Sequence, residues 1–112
     1  MDTREPRTLA AFYGAILGWE IDEGGSDESW VKLTSPVGAT IAFQHAPDHV
    51  APTWSSDTDH LQAHLDFYVD DLDATEAQVL ALGARKVDHQ PDPDSFRVFL
   101  DLSGHPFCLC DE

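Results

Sequence analysis

His64, Asp66 and Tyr68 alternate with Leu65, Phe67 and Val69, so three polar side chains share one face of a strand and three apolar ones the other. An imidazole at the head of such a face suits hydrogen bonding in a cavity wall, general acid–base work near neutral pH, or metal ligation. A carboxylate at Asp66, on the same face, would favour the protonated ring. Cys108 and Cys110 stand two apart in a short apolar stretch. On a strand they also share a face, with Cα atoms about 6.5–7 Å apart, at or beyond the usual limit for a disulfide. Two free thiols are expected, and with them a reducing compartment, the cytoplasm. Trp30, Trp54, Tyr68 and Phe96 offer ring faces to a flat organic ligand. His45, His49, His60 and His89 fall in or beside loops, and His105 in a turn. No glycine-rich phosphate loop, Ser-His-Asp order or nucleophile elbow can be assembled.

The elements that must position these residues come in two runs. Pro6 suits the first position of a helix, Leu9, Phe12, Tyr13, Ile16 and Leu17 follow at helical spacing, and Gly18 supplies a stop. Strands are expected over residues 19–23, 29–34 and 39–45, then a linker rich in proline and acids. The second run opens with the strand of 64–69. A helix from about Asp73 follows, with Asp73 and Glu76 at the spacing of a capping box. Val79, Leu80 and Leu82 carry its apolar face and Gly83 ends it, before strands at 84–89, 96–102 and 107–110. Leu17-Gly18 recurs as Leu82-Gly83, Ser29-Trp30 as Ser95-Phe96 and Gly38 as Gly104, at offsets of 65, 66 and 66 residues. A period this long in so short a chain means two copies of one supersecondary unit. The second copy reads βαβββ. The first has the helix and three strands, because residues 1–5 are too short and polar for a leading strand and are expected to fray. Trp30 and Phe96 hold matching places in the repeat, which favours core packing for both.

The 112 residues make one domain, with module one at about 1–45, a linker at about 46–60 and module two at about 61–112. A 42% hydrophobic fraction fits a globular chain. No apolar run is long enough to span a bilayer, and no secretory signal opens the sequence. With 21 acidic residues against 6 basic ones, the net charge of −15 repels phosphate backbones and anionic lipid, so neither nucleic acid nor membrane is an expected partner. The charge keeps the chain soluble; adaptation to high salt is the sharper reading of it.

The order βαβββ, twice, resembles the vicinal oxygen chelate superfamily, which includes lactoylglutathione lyase, extradiol dioxygenases and the bleomycin and fosfomycin resistance proteins. The resemblance is carried by Leu9-Ala-Ala-Phe-Tyr-Gly-Ala-Ile-Leu-Gly-Trp19, His64-Leu-Asp-Phe-Tyr-Val-Asp-Asp-Leu72, Leu80-Ala-Leu-Gly-Ala84 and Asp101-Leu-Ser-Gly-His-Pro-Phe-Cys-Leu109. It is closest to the small bacterial glyoxalase-like proteins. It implies an α+β fold: two βαβββ modules forming curved mixed sheets with helices on the outer face, the first module lacking its leading strand. It also implies a small-molecule ligand in a sheet-lined cavity and a homodimer. Residues 2–6 resemble the place where a leading strand has just ended, so a chain starting further upstream would gain a strand and a ligand.

The metal enzymes of that superfamily place ligands on the first and last strands of both modules. Residue by residue, these positions fall on His64, on Cys108 where a carboxylate is usual, and on Ala42; the fourth has no counterpart. A family-type metal site is therefore not expected, although the cofactor is left open and a divalent metal is not excluded. Gln44, two beyond Ala42 on the same face, reads as a polar cavity-lining residue. Trp54, Asp66, Tyr68, Cys108 and Cys110 are the other cavity candidates, and His64 is the candidate for catalysis. Cys108, Cys110 and His64 converging in one cavity would suit zinc; the alternative is a pair of small buried, inert thiols. Three functions follow: a metal-independent domain binding a small organic molecule, with or without turnover; a metal-dependent lyase, isomerase or dioxygenase; or a resistance-type protein that sequesters a cationic drug, which the acidic charge would steer.

Overall fold

The computed structural model describes residues 1–52 and 63–112. The chain divides into two compact units, Met1–Val50 and Ala51–Glu112.

In the first unit a two-residue strand β1 (Asp2–Thr3) leads into helix α1 (Pro6–Leu17), followed by β2 (Trp30–Lys32) and β3 (Ala42–His45). Pro6 occupies the first turn, where its missing N–H costs nothing, and Gly18 ends the helix at φ 71°, a left-handed conformation that suits glycine. The sheet order is β1-β3-β2, with β1 parallel and β2 antiparallel to β3. Leu9, Ala10, Phe12 and Tyr13 of the helix are buried together with Val31, Leu33 and Phe43 of the sheet side, and Tyr13 stacks on Phe43 with ring centroids 5.6 Å apart.

The expectation that the first module has no leading strand is corrected in one respect. Asp2 pairs with Gln44 and Thr3 with His45, backbone bonds run from Gln44 N–H to Met1 O and from Ala46 N–H to Thr3 O, and Thr3 is fully buried. Two residues suffice because β3 is already fixed by β2 and offers its free edge. The segment is paired rather than frayed. Residues 19–23 contribute only a single bridge, Ile21 to Leu33.

The second unit contains β4 (Leu65–Val69), α2 (Leu72–Ala81), β5 (Arg85–Lys86), β6 (Phe96–Leu100) and β7 (Pro106–Asp111), with sheet order β4-β7-β6-β5. Its core joins Leu72 and Val79 of the helix to Phe99, Phe107 and Leu109 of the sheet; Phe107 stacks on Phe99 at 5.6 Å and meets Phe67 edge-on at 5.9 Å. Two helix expectations are corrected. The cap is Asp71, whose carboxylate accepts from Ala74 N–H at 3.0 Å; Asp73 and Glu76 instead hold Arg97 of β6, at 2.8 and 2.6 Å. Leu80 is 41% exposed, because the helix turns Leu72 and Val79 to the sheet.

The two units share one register. Trp30↔Gln44, Val31↔Phe43 and Lys32↔Ala42 become Phe96↔Cys110, Arg97↔Leu109 and Val98↔Cys108 on adding 66, and Asp2↔Gln44 becomes Tyr68↔Cys110. Asp2 and Thr3 thus correspond to Tyr68 and Val69, the last two residues of β4. On the same register, His64 and Asp66 correspond to positions that precede Met1.

Candidate functional site

The period of two on β4 and β7 sorts their side chains. Phe107 and Leu109 point into the core beneath α2, and Cys108 and Cys110 point to the other face. The parallel register sets Asp66 opposite Cys108 and Tyr68 opposite Cys110, while β6 sets Phe96 opposite Cys110 from the far side. One row across the sheet therefore reads Tyr68, Cys110, Phe96 and the next reads Asp66, Cys108, Val98. His64 stands just beyond, on the strand's approach. Together these residues, with Ser95 and Asp111, line an open groove of about 470 Å³.

His64 Nε2 lies 3.3 Å from Asp66 Oδ1, both side chains being partly exposed at 36% and 44%. Cys108 forms the floor at 4% exposed. Burial pushes its thiol up to about 12, and the neighbouring Asp66 carboxylate, to which the S–H donates a hydrogen bond, adds to the effect. Burial also raises Cys110, with Asp66 again contributing. Both cysteines are free. In this state they are protonated, weakly nucleophilic groups.

The structure brings His64, Asp66, Tyr68, Cys108 and Cys110 to one groove. Gln44 belongs to the other unit, where it is exposed on β3 at the place equivalent to Cys110. Trp54 and His60 lie outside the described residues. Trp30 and Phe96 do hold matching register positions, but not as core residues: both point away from the helix side, leaving Trp30 45% exposed and Phe96 on the groove. Their large apolar rings suggest burial, but strand alternation overrides residue type, since Val31 and Phe43 take the helix-facing places. Ser95 and Asp111 were not singled out from the sequence; a serine just before a strand and an acid at its end carry no signal there.

Among the described residues, one set of three metal-capable side chains converges: one donor atom each from His64, Asp66 and Cys108 lies within 4.8 Å of the other two. Cys110 is not in that set. No helix among the described residues is long and apolar enough to cross a membrane.

The family described as glyoxalase-like domain matches residues 1–110. Among solved structures, a glyoxalase/bleomycin resistance protein/dioxygenase family enzyme from Burkholderia phytofirmans is similar at a TM-score of 0.70, with 19% identity over 99% of this chain and 93% of that one. A fosfomycin resistance protein from Listeria monocytogenes gives 0.70 and 17%, covering 100% and 88%. A second structure of that Listeria protein, complexed with Mn(II) and sulfate, gives 0.69 and 17%, covering 99% and 84%. At these identities the likeness carries the fold alone. No curated protein matches the chain in sequence. The family match spans nearly the whole chain, and on that ground the chain belongs to the glyoxalase-like domain family.

Proposed function

We propose that the protein binds a small, flat, cationic or neutral organic molecule in the groove on the open face of β4, β7 and β6, without a family-type hard metal ion. The observation that carries this reading is the composition of one sheet face. Tyr68 and Phe96 supply aromatic surface on either side of Cys110, and the carboxylates of Asp66 and Asp111 line the same groove with no lysine or arginine among the described lining residues. A positively charged ring system gains from both features, through the ring quadrupoles and through the charge.

The donor chemistry disfavours the hard-ion reading. Manganese and magnesium want oxygen and imidazole donors in octahedral array. Cys108, a thiol, stands at the place where the superfamily's carboxylate is expected, and Ala42, a methyl group, at its partner place in the first unit. His64 then serves as a hydrogen-bonding or proton-carrying group at the mouth of the groove, steadied by Asp66 at 3.3 Å. Turnover would use that pair, because the thiols are held protonated by burial.

The test is a calorimetric panel of planar aromatic cations, neutral rings and anions against the full chain. Cations or neutral rings should bind at micromolar to sub-millimolar strength, and Tyr68→Ala and Asp66→Asn should each weaken them about 10-fold. Preferential binding of anions, or binding indifferent to both variants, would refute the reading. Homodimerisation and a cytoplasmic location belong to the same proposal. The first draws support from the exposed Trp30 and the short β1 edge of the first unit, and light scattering at micromolar concentration reads it; a monomer there ends it. The second draws on two free thiols.

A further inference from the structure

We propose that His64, Asp66 and Cys108 form a three-donor site for a thiophilic divalent cation, zinc being the biological candidate, with the fourth position open to the groove. The site uses the same face as the organic ligand but does not depend on that ligand.

The argument starts from placement. Asp66 and Cys108 are register partners in a parallel strand pair, and His64 is two residues before Asp66 on the same face. Two adjacent strands fix the Cα positions of Asp66 and Cys108, and His64 sits one residue before β4; sites built on strands hold their geometry better than sites on loops. One donor atom from each lies within 4.8 Å of the others. The His64 Nε2 to Asp66 Oδ1 distance of 3.3 Å matches the edge of a tetrahedron around zinc, about 3.4 Å for Zn–N and Zn–O bonds near 2.1 Å. A Zn–S bond near 2.3 Å sets the remaining edges at about 3.6 Å, so the Cys108 sulfur, within 4.8 Å of the other donors, has to draw in by at most about 1.2 Å.

Chemistry then selects the ion. A nitrogen, an oxygen and a sulfur suit zinc, which accepts all three and takes three protein ligands plus an open position in catalytic sites. The same set is poor for manganese or magnesium, for which a thiolate is too soft and three donors too few. This replaces the Cys108, Cys110 and His64 set suggested by sequence: Cys110 stays on the wall with Tyr68 and Phe96, and Asp66 takes its part. On binding, the Cys108 S–H bond breaks, the sulfur pair goes to the metal, and the proton leaves to solvent or buffer; no redox change is involved. The competing description is a His–Asp hydrogen bond beside an inert buried thiol, and it differs in every measurement below.

The experiment uses untagged, metal-free full-length protein with zinc, cobalt(II) and manganese(II) as probes and no organic ligand. Zinc should bind at one ion per chain in competition with a chromophoric chelator, at least about 100-fold more tightly than manganese. Cobalt should give a thiolate-to-metal charge-transfer band and the strong visible bands of tetrahedral coordination. Cys108→Ser should abolish the charge-transfer band, His64→Ala and Asp66→Asn should weaken zinc about 10- to 100-fold or more, and Cys110→Ser should change nothing. His64 and Asp66 are partly exposed, so their variants report even if a Cys108 variant folds poorly. Absence of stoichiometric zinc, equal or tighter manganese binding, or a charge-transfer band that survives in Cys108→Ser would overturn the proposal. Any of these leaves the organic-ligand reading standing, because the calorimetric panel needs no metal.

Discussion

The two units run on one register and differ in what they put on it. At the helix-facing positions the second unit keeps the first unit's apolar character: Phe43 becomes Leu109 and Leu33 becomes Phe99, all fully buried. On the open face the correspondence breaks. Ala42 and Gln44 of the first unit become Cys108 and Cys110, and Asp2 and Thr3 become Tyr68 and Val69. The core positions constrain the fold, and the open-face positions are free to carry chemistry in one unit and none of the same kind in the other.

If the buried rows hold each unit together, cutting them should have similar effects in both. Phe43→Ala and Leu109→Ala remove equivalent, fully buried side chains. We expect losses of about 3–5 kcal/mol for the phenylalanine and about 2–5 kcal/mol for the leucine, read as shifts in denaturant midpoint. A loss below about 1 kcal/mol at either site would show that its row does not carry that unit.

A sharper contrast lies at one helix–sheet position. Glu76 and Arg97 form an ion pair at 2.6 Å in the second unit, with Lys86 on the same carboxylate at 2.8 Å; the equivalent places in the first unit are Ala10 and Val31, both buried. Partial burial pushes the Glu76 carboxyl up, but the hydrogen bonds from Lys86 and Arg97 outweigh it and hold it below the usual range. Removing only the acid leaves a mostly buried guanidinium with the exposed Asp73 and the Pro93 carbonyl as its partners, so Glu76→Ala should cost about 1–2 kcal/mol. Installing the first unit's pair, Glu76→Ala with Arg97→Val, should recover most of that loss, because apolar replacements of buried pairs are often neutral or better. A double variant no more stable than Glu76→Ala would show that the units are not interchangeable here. The folded pKa of Glu76 lies below its unfolded value near 4.3. Its stabilisation is therefore complete above that value and is lost as pH falls through the folded one. The double variant should lack this part of the acid sensitivity.

Much of this was legible before any coordinates. Alternation over residues 64–69 placed His64, Asp66 and Tyr68 together, and the 66-residue offset turned out to be a register. What resisted had physical causes. A strand as short as Asp2–Thr3 has no periodicity to read. Asp71 and Asp73 both suit a helix start, and only the fold shows that Arg97 draws Asp73 and Glu76 away. Trp30 and Phe96 look like core residues by type, yet their face is decided by the strand they stand on. The meeting of Asp66 with Cys108 depends on the pairing of two strands 42 positions apart in sequence, and neither strand alone encodes it.

The smallest effect tests how closely each helix approaches its surroundings. Gly14 stands in the last turn of α1 and Leu80 in the last turn of α2. A Cβ on Gly14 would come within 2.6 Å of the Trp19 carbonyl oxygen, which is backbone and cannot rotate away, whereas Leu80 is 41% exposed. The first unit turns back tightly there: Trp19 N–H bonds to Gly14 O at 3.0 Å, closing the helix end over the glycine. Alanine is the better helix former by about 1 kcal/mol, so an unhindered Gly14→Ala would stabilise. The clash should reverse that sign and cost a net 1–2 kcal/mol or so, as overpacking does. Leu80→Ala, at an open site on α2, should stay within about 0.5 kcal/mol of the parent. Measured side by side in thermal unfolding, a stabilised Gly14→Ala would mean that residues 14–19 can open by a few tenths of an ångström at little cost. A destabilised one would place the cost in the contact of residue 14 with the Trp19 carbonyl, since the second unit closes its helix end with the same kind of bond, Ala84 N–H to Val79 O at 3.0 Å, without a glycine there.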